Sequence, residues 1–261
     1  MATVQVNNFA EFVSAVAVSG NTVVLPVKAV WDLNDEYPEG YTNDIQINCA
    51  AINGNGTEIR NLHLYGKFIV PADLEINDLF MTNIVGEETA FFDYGSAART
   101  LSMNGCIMTG IYGLNTTAFC KSRLTLNRSV LHLDMTAGGY GDIYIADDYT
   151  SQYSRISAQY PQNAGGGFSF GSEAKFCMFT IQYLGCRYFD SRPLSGCVVQ
   201  GNFGEASDHN YYGYHGAFVS VYDSAAMDSE FETENVYFKA VTHEQLYDAA
   251  YLQSIGFPIG A

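Results

Sequence analysis

The sequence predicts an all-β fold wound as a solenoid of stacked coils, and three observations carry that prediction. An eleven-residue pattern recurs in the middle of the chain. Twenty-five Gly, with many Asn, Ser and Thr, punctuate short apolar stretches beside 19 Tyr and 17 Phe, a composition of many short strands and turns. The helical spacing of apolar residues shows only near the two ends.

Taken in order, Thr3 to Val6 reads as a strand. Asn then caps a short amphipathic helix in which Phe9, Phe12, Val13 and Val16 recur at i, i+3, i+4 and i+7, closing near Ser19-Gly20. A second strand, Thr22 to Leu25, stops at Pro26. Residues 1–26 are thus expected to form a strand–helix–strand cap, and residues 27–240 the solenoid. A polar segment holding Trp31, Asp32, Asp35, Glu36, Pro38 and Gly40 leads to a strand at Asp44 to Ile47.

The repeat is seen by aligning Leu74-Glu75-Ile76-Asn77-Asp78-Leu79-Phe80-Met81-Thr82-Asn83-Ile84 with the eleven residues Leu101 to Ile111. Apolar and polar positions fall in step, and Asn, Met and Thr match in place. A third copy begins at Leu124-Thr125-Leu126-Asn127, giving offsets of 27 and then 23 residues, the length of one solenoid coil. Weaker copies are expected at Thr57 to Leu64, Phe176 to Cys186, Leu194 to Phe203 and Met227 to Phe238. Gly-Cys recurs at 105, 185 and 196. A small residue beside a small apolar one suits an inward position at a tight corner, because the next rung lies only about 4.8 Å away.

Such units bury their apolar faces only by stacking, and the end of a stack needs a cap over its strand edges. With the helix at Phe9 to Ala17 as that cap, followed by the LEINDLFMTNI, LSMNGCIMTGI and LTLNRSVL coils, the chain resembles the right-handed parallel β-helix, or pectate-lyase-like, superfamily over residues 1–240. The resemblance implies a single-stranded right-handed parallel β-helix; its motifs specify a fold and no chemistry.

Two stretches break the period, Ala137 to Asp142 and Pro161 to Gly171, and read as excursions from the coil wall. Their glycines lie beside aromatics and acids rather than the Lys or Ser/Thr of a phosphate cradle. Residues 241–261 change character. Thr242-His243-Glu244-Gln245 is a capping box for a short helix carrying Leu246, Ala249, Ala250 and Leu252, followed by an apolar tail that either plugs its own solenoid or docks on a neighbouring subunit.

Composition excludes several functions. Twelve Lys+Arg against 28 Asp+Glu, net −16, leave no basic surface for nucleic acid or an anionic membrane. No apolar run spans a bilayer, and the first residues lack a signal-peptide pattern, so the expectation is synthesis in the cytoplasm without membrane insertion. Cys49, Cys106, Cys120, Cys177, Cys186 and Cys197 have no zinc spacing and read as buried free thiols; neither a metal nor a cofactor is expected.

The superfamily includes polysaccharide lyases and glycoside hydrolases. Of the polygalacturonase signatures only Ala146-Asp147-Asp148 offers a partial match, and adjacent strand residues point to opposite faces, so no catalytic residue is assigned. Candidate ligand-binding residues are instead Asp142, Asp147 and Asp148, with Tyr211, Tyr212, Tyr214 and His215 of a loop whose rings suit either sugar stacking or protein contact. None of the five His lies in a recognisable triad motif.

An acidic β-solenoid with no catalytic signature resembles small β-helix proteins of tailed phages, used as head fibres, decoration proteins or tail spikes. That resemblance implies a homotrimer located in a virion, contacting other virion proteins and host surface glycans. The alternative readings are a polysaccharide depolymerase, with acids in the loops Gly139 to Asp148 and Asp208 to His215, and a noncatalytic glycan-binding module.

Overall fold

A computed structural model describes residues 2–88, 90–95, 99–112, 118–134, 144–159, 173–175, 177–182, 194–195, 197–202, 217–221, 239–240 and 248–254. Every strand pairing in it is parallel, and together the strands wind into a β-solenoid, the all-β parallel β-helix expected from the repeat. The chain visits up to three faces per coil. The first face opens with Thr3–Gln5 and Thr22–Val24, continues through the beginnings of Ala51–Arg60 and Leu74–Gly86, and runs on to Leu194–Ser195. The second face runs from Val30–Asp32 to Lys239–Ala240, passing through Ile107–Tyr112, Val130–Asp134, Arg155–Gln159 and Met178–Gln182. The third is shorter, from Ile45–Gln46 through Phe68–Ile69 and Ala90–Asp93 to the starts of Ala118–Asn127 and Tyr144–Gln152.

The repeat read from sequence is this coil. Leu101 pairs with Leu74 on one side and Leu124 on the other, and Asn104 with Asn77 and Asn127. Period-two alternation sends every second residue inward, where like residues stack rung upon rung. One inward column is Val23, Ile52, Ile76, Met103 and Leu126; another, on the second face, is Ile59, Met81, Met108, Leu131, Ile156 and Phe179. The third face fills its side with rings: Phe68 stacks on Phe92 at 5.1 Å, and Phe91 on Phe119 at 5.9 Å.

Corners carry the polar punctuation. Asn53, Asn77, Asn104 and Asn127 form an amide ladder, each Nδ2 donating to the Oδ1 of the coil before it at 3.2, 3.0 and 3.5 Å. The residue after the ladder bends the chain sharply, with positive φ at Asp78, Gly105, Arg128 and Tyr153. Next comes a small buried residue: Cys106 has its N–H bonded to Ser129 Oγ (3.1 Å), and the Ser129 N–H donates to Ser154 Oγ (3.2 Å). The Gly105-Cys106 pair thus has the corner role expected of it. Cys177 stands one position before Met178 and Cys197 one before Val198, which pair, so Cys197 shares this register position. A second polar stack links Asn83 Nδ2 to Asn61 Oδ1 (2.6 Å) and Asn61 Nδ2 to Asp32 Oδ1 (2.8 Å).

The helix Phe9–Val16 links the first two rungs of the first face, which pair directly with each other. Asn8 caps it, accepting from the Glu11 N–H at 2.8 Å, while Glu11 reaches back to the Asn7 N–H. Phe9, Phe12, Ala15 and Val16 are buried in the end of the stack, with Phe12 against Trp31 and Phe9 against Tyr37 and Tyr41. The polar segment after Pro26 holds two elements that its sequence did not disclose, the strand Val30–Asp32 and a four-residue helix, Leu33–Glu36, capped by Asp32. At the other end, Ala249–Ser254 is helical and Asp248 caps it; the Thr242 capping box and the apolar tail lie outside the described residues, as do the segments Ala137 to Asp142, Pro161 to Gly171 and Met227 to Phe238. Among the described residues no helix is long and apolar enough to cross a membrane.

Candidate ligand-binding face

Of the residues singled out from sequence, Asp142, Tyr211, Tyr212, Tyr214 and His215 lie outside the described residues. Asp147 and Asp148 do not lie in a loop; they belong to the strand Tyr144–Gln152, where it turns from the third face to the first between buried Ala146 and buried Tyr149. Asp148 is half-buried and stands in register with exposed Arg123 of the preceding coil.

The structure brings other groups together. On the outside of the second face, register aligns Thr109, His132 and Ser157 on successive coils, and the backbone ladder carries the same register position on to residues 180, 200 and 220. Two residues further along the same strands, Asp134 and Gln159 align in the same way. The inward neighbours Leu131 and Ile156 fix which residues face out. The result is a strip of hydroxyls, one amide, one carboxylate and one imidazole, repeating at the rung spacing of about 4.8 Å.

One contact in the strip is fully drawn. His132 Nδ1 lies 2.6 Å from Ser157 Oγ, both side chains half-buried. A serine beside an imidazole has the composition of an activated nucleophile, but acyl chemistry also requires N–H donors aimed at a developing oxyanion. Here the sheet pairs these strands on both sides, Val130–Asp134 with Ile107–Tyr112 and with Arg155–Gln159. A hydroxyl and an imidazole placed this way can both hydrogen-bond a ligand. Among the buried thiols, burial pushes Cys49 and Cys106 up to about 11, which keeps both protonated near neutrality.

The third face carries charge instead. Lys67 Nζ lies 2.8 Å from Asp93 Oδ2, and the Lys67 N–H donates to Asp44 Oδ1. Burial works against the Asp93 carboxylate, but the hydrogen bonds from Lys67 and the Gly95 N–H, with the Lys67 charge, outweigh it and hold its pKa below the usual aspartate value; the hydrogen bond to Asp93 in turn raises Lys67. A lowered carboxylate pKa stabilises the fold above the ordinary aspartate range, and that stabilisation is lost as pH falls through the lowered value. A raised lysine pKa adds stability that is lost only as pH rises through its own value. Asp93→Asn is accordingly expected to lower the Tm at neutral pH and to make the acid limb of a Tm-against-pH curve shallower. Away from this face, His63, paired with Val85, has its Nε2 3.0 Å from Glu87 Oε1 and its ring stacked on Tyr65 with centroids 4.2 Å apart.

His132 and Ser157 were not visible as a site in the sequence, since they lie 25 residues apart with no shared motif. The signal that finds them is the coil register itself: once Leu131 is placed over Ile156, their outward neighbours must adjoin. No family model, no curated protein and no solved structure matches the chain.

Proposed function

We propose that the protein is a structural and adhesive shaft that holds a glycan along the polar strip of its second face, and that it serves as a virion component of the head-fibre, decoration or tail-spike kind, assembled as a homotrimer. The single observation that carries the binding part is the alignment of Thr109, His132 and Ser157, with Asp134 and Gln159 beside them, on successive coils. Sugars are recognised by many modest hydrogen bonds to hydroxyls, and a row of hydroxyl and amide groups repeating about every 4.8 Å presents such partners at roughly the advance of one sugar ring. Sheet-borne groups are also held rigidly, which lowers the ordering cost of binding. The net charge of −16 favours neutral glycans over polyuronates. The virion assignment rests on the resemblance to small phage β-helix proteins.

Calorimetric titration with a panel of neutral and acidic capsular, cell-surface and pectic polysaccharides tests this reading. Saturable binding to a neutral member is expected, weakened about tenfold by His132→Ala with Ser157→Ala, the equivalent of losing one to two net hydrogen bonds. Release of new reducing ends or unsaturated uronates during the titration would replace the adhesive reading with the depolymerase one, and no binding across the panel would end it.

A further inference from the structure

Two residues before the His132 position, a second outward column runs up the second face from Val30 to Arg155. Phe80, Ile107 and Val130 occupy successive rungs of it, half-buried, and Val30, 53% exposed, stands at its start. Beyond Arg155 the backbone ladder places Met178, Val198, Phe218 and Lys239 at the same register position on the following rungs. Of its ten positions seven are apolar, and the other three are Glu58, Arg155 and Lys239. A sheet surface facing water ordinarily alternates apolar inside with polar outside. The adjacent column obeys that rule with Thr109, His132 and Ser157, and this one breaks it on strand after strand.

We infer that this ridge is the seam along which copies of the chain pack side by side, an inference that deepens the homo-oligomeric shaft proposed above by naming its contact surface. Three arguments select a second copy as the occupant. A straight row of apolar groups at rung spacing fits a surface with the same straightness and spacing, and another copy of the shaft has both. Charge agrees: on a chain of 12 basic and 28 acidic residues, the ridge positions hold one acid and two bases, so the net negative charge of the chain does not fall on them. Size agrees as well, since ten rungs extend about 45 Å and a zone ~15 Å wide along them covers roughly 700 Å² per copy, close to the ~800 Å² of a standard interface.

Light scattering coupled to gel filtration at micromolar concentration tests the seam. The wild-type chain is expected to elute as an oligomer. Ile107→Glu, which sets a carboxylate in the middle of the ridge, is expected to lower the association constant at least about 100-fold and give a monomer, whereas Thr125→Glu on the first face leaves the oligomer intact. Should Ile107→Glu melt well below the wild type, Ile107→Cys replaces it: a disulfide-linked dimer on oxidation supports the seam, and its absence from a wild-type-like oligomer overturns it. A wild-type oligomer that Ile107→Glu leaves assembled removes the seam but not the oligomeric shaft; a wild-type monomer removes both. Neutral-glycan binding, measured on the same variants, reports separately on the polar strip.

Discussion

Gly54→Ala is expected to cost about 3 kcal/mol or more and to leave little soluble, cooperatively folding protein. A methyl at Gly54 would run into the Asp78 carbonyl and sit 2.5 Å from Leu79 Cα, both of them backbone atoms of the next coil. A crowded side chain escapes by changing rotamer, but backbone in a parallel ladder moves only by parting the rungs. The rungs at this place are already irregular: Asn53 pairs with Asn77 and Thr57 with Leu79, so three residues of one coil are gathered opposite one residue of the other. Opening that gap also pulls Asn53 from the amide ladder at its 3.2 Å contact with Asn77. Gly20→Ala is the informative control. Gly20 has φ +75° and nothing within 4 Å of an added methyl, so that change carries only the left-handed backbone cost of about 1–2 kcal/mol. Urea unfolding followed by circular dichroism separates the two; equal midpoints would mean that the coils part at Gly54 with little resistance.

The coil was legible in the sequence because stacking makes neighbouring rungs solve the same packing problem. Leu74, Leu101 and Leu124 must each fill one interior layer, and Asn77, Asn104 and Asn127 must each close one corner, so the pattern repeats at the coil length. The N-terminal helix was legible for a local reason: its cap and its buried stripe lie within one short segment. What stayed hidden depends on the partner coil. Val30–Asp32 is three residues long and is a strand because Glu58, Ile59 and Arg60 pair with it; its Asp32 also accepts from Asn61 on that neighbouring coil and caps the following helical turn. For the aspartates at 147 and 148 the sequence left strand and loop both open, and pairing with Cys120 to Asn127 draws that stretch into the sheet. Outward positions are the least legible of all, because no shared volume forces Thr109, His132 and Ser157 to resemble one another. Their common place emerges only after the inward residues have fixed the register.

The same inward stacking leads to the second large effect, expected for Phe92→Ala on the third face. Phe92 is fully buried, lies 5.1 Å from Phe68 in a stacked arrangement on the preceding coil, and takes edge contacts from Phe91 and Phe119 at 5.1 and 5.4 Å. Removing its ring leaves a void in the middle of a four-ring cluster, and the usual cost of a buried Phe→Ala change is about 3–5 kcal/mol. The upper part of that range is expected here, since collapse would require the ring walls to move with the rungs that carry them, and each rung is pinned on both sides by its ladder. Phe92→Leu keeps most of the volume and is expected to cost clearly less. A double-mutant cycle with Phe68→Ala separates ring-on-ring attraction from simple filling: a coupling of about 0.5–1.5 kcal/mol is the signature of paired rings. Additive losses in urea unfolding would mean that each ring serves only to occupy space, and the solenoid interior would then be held by volume alone, as its aliphatic columns are.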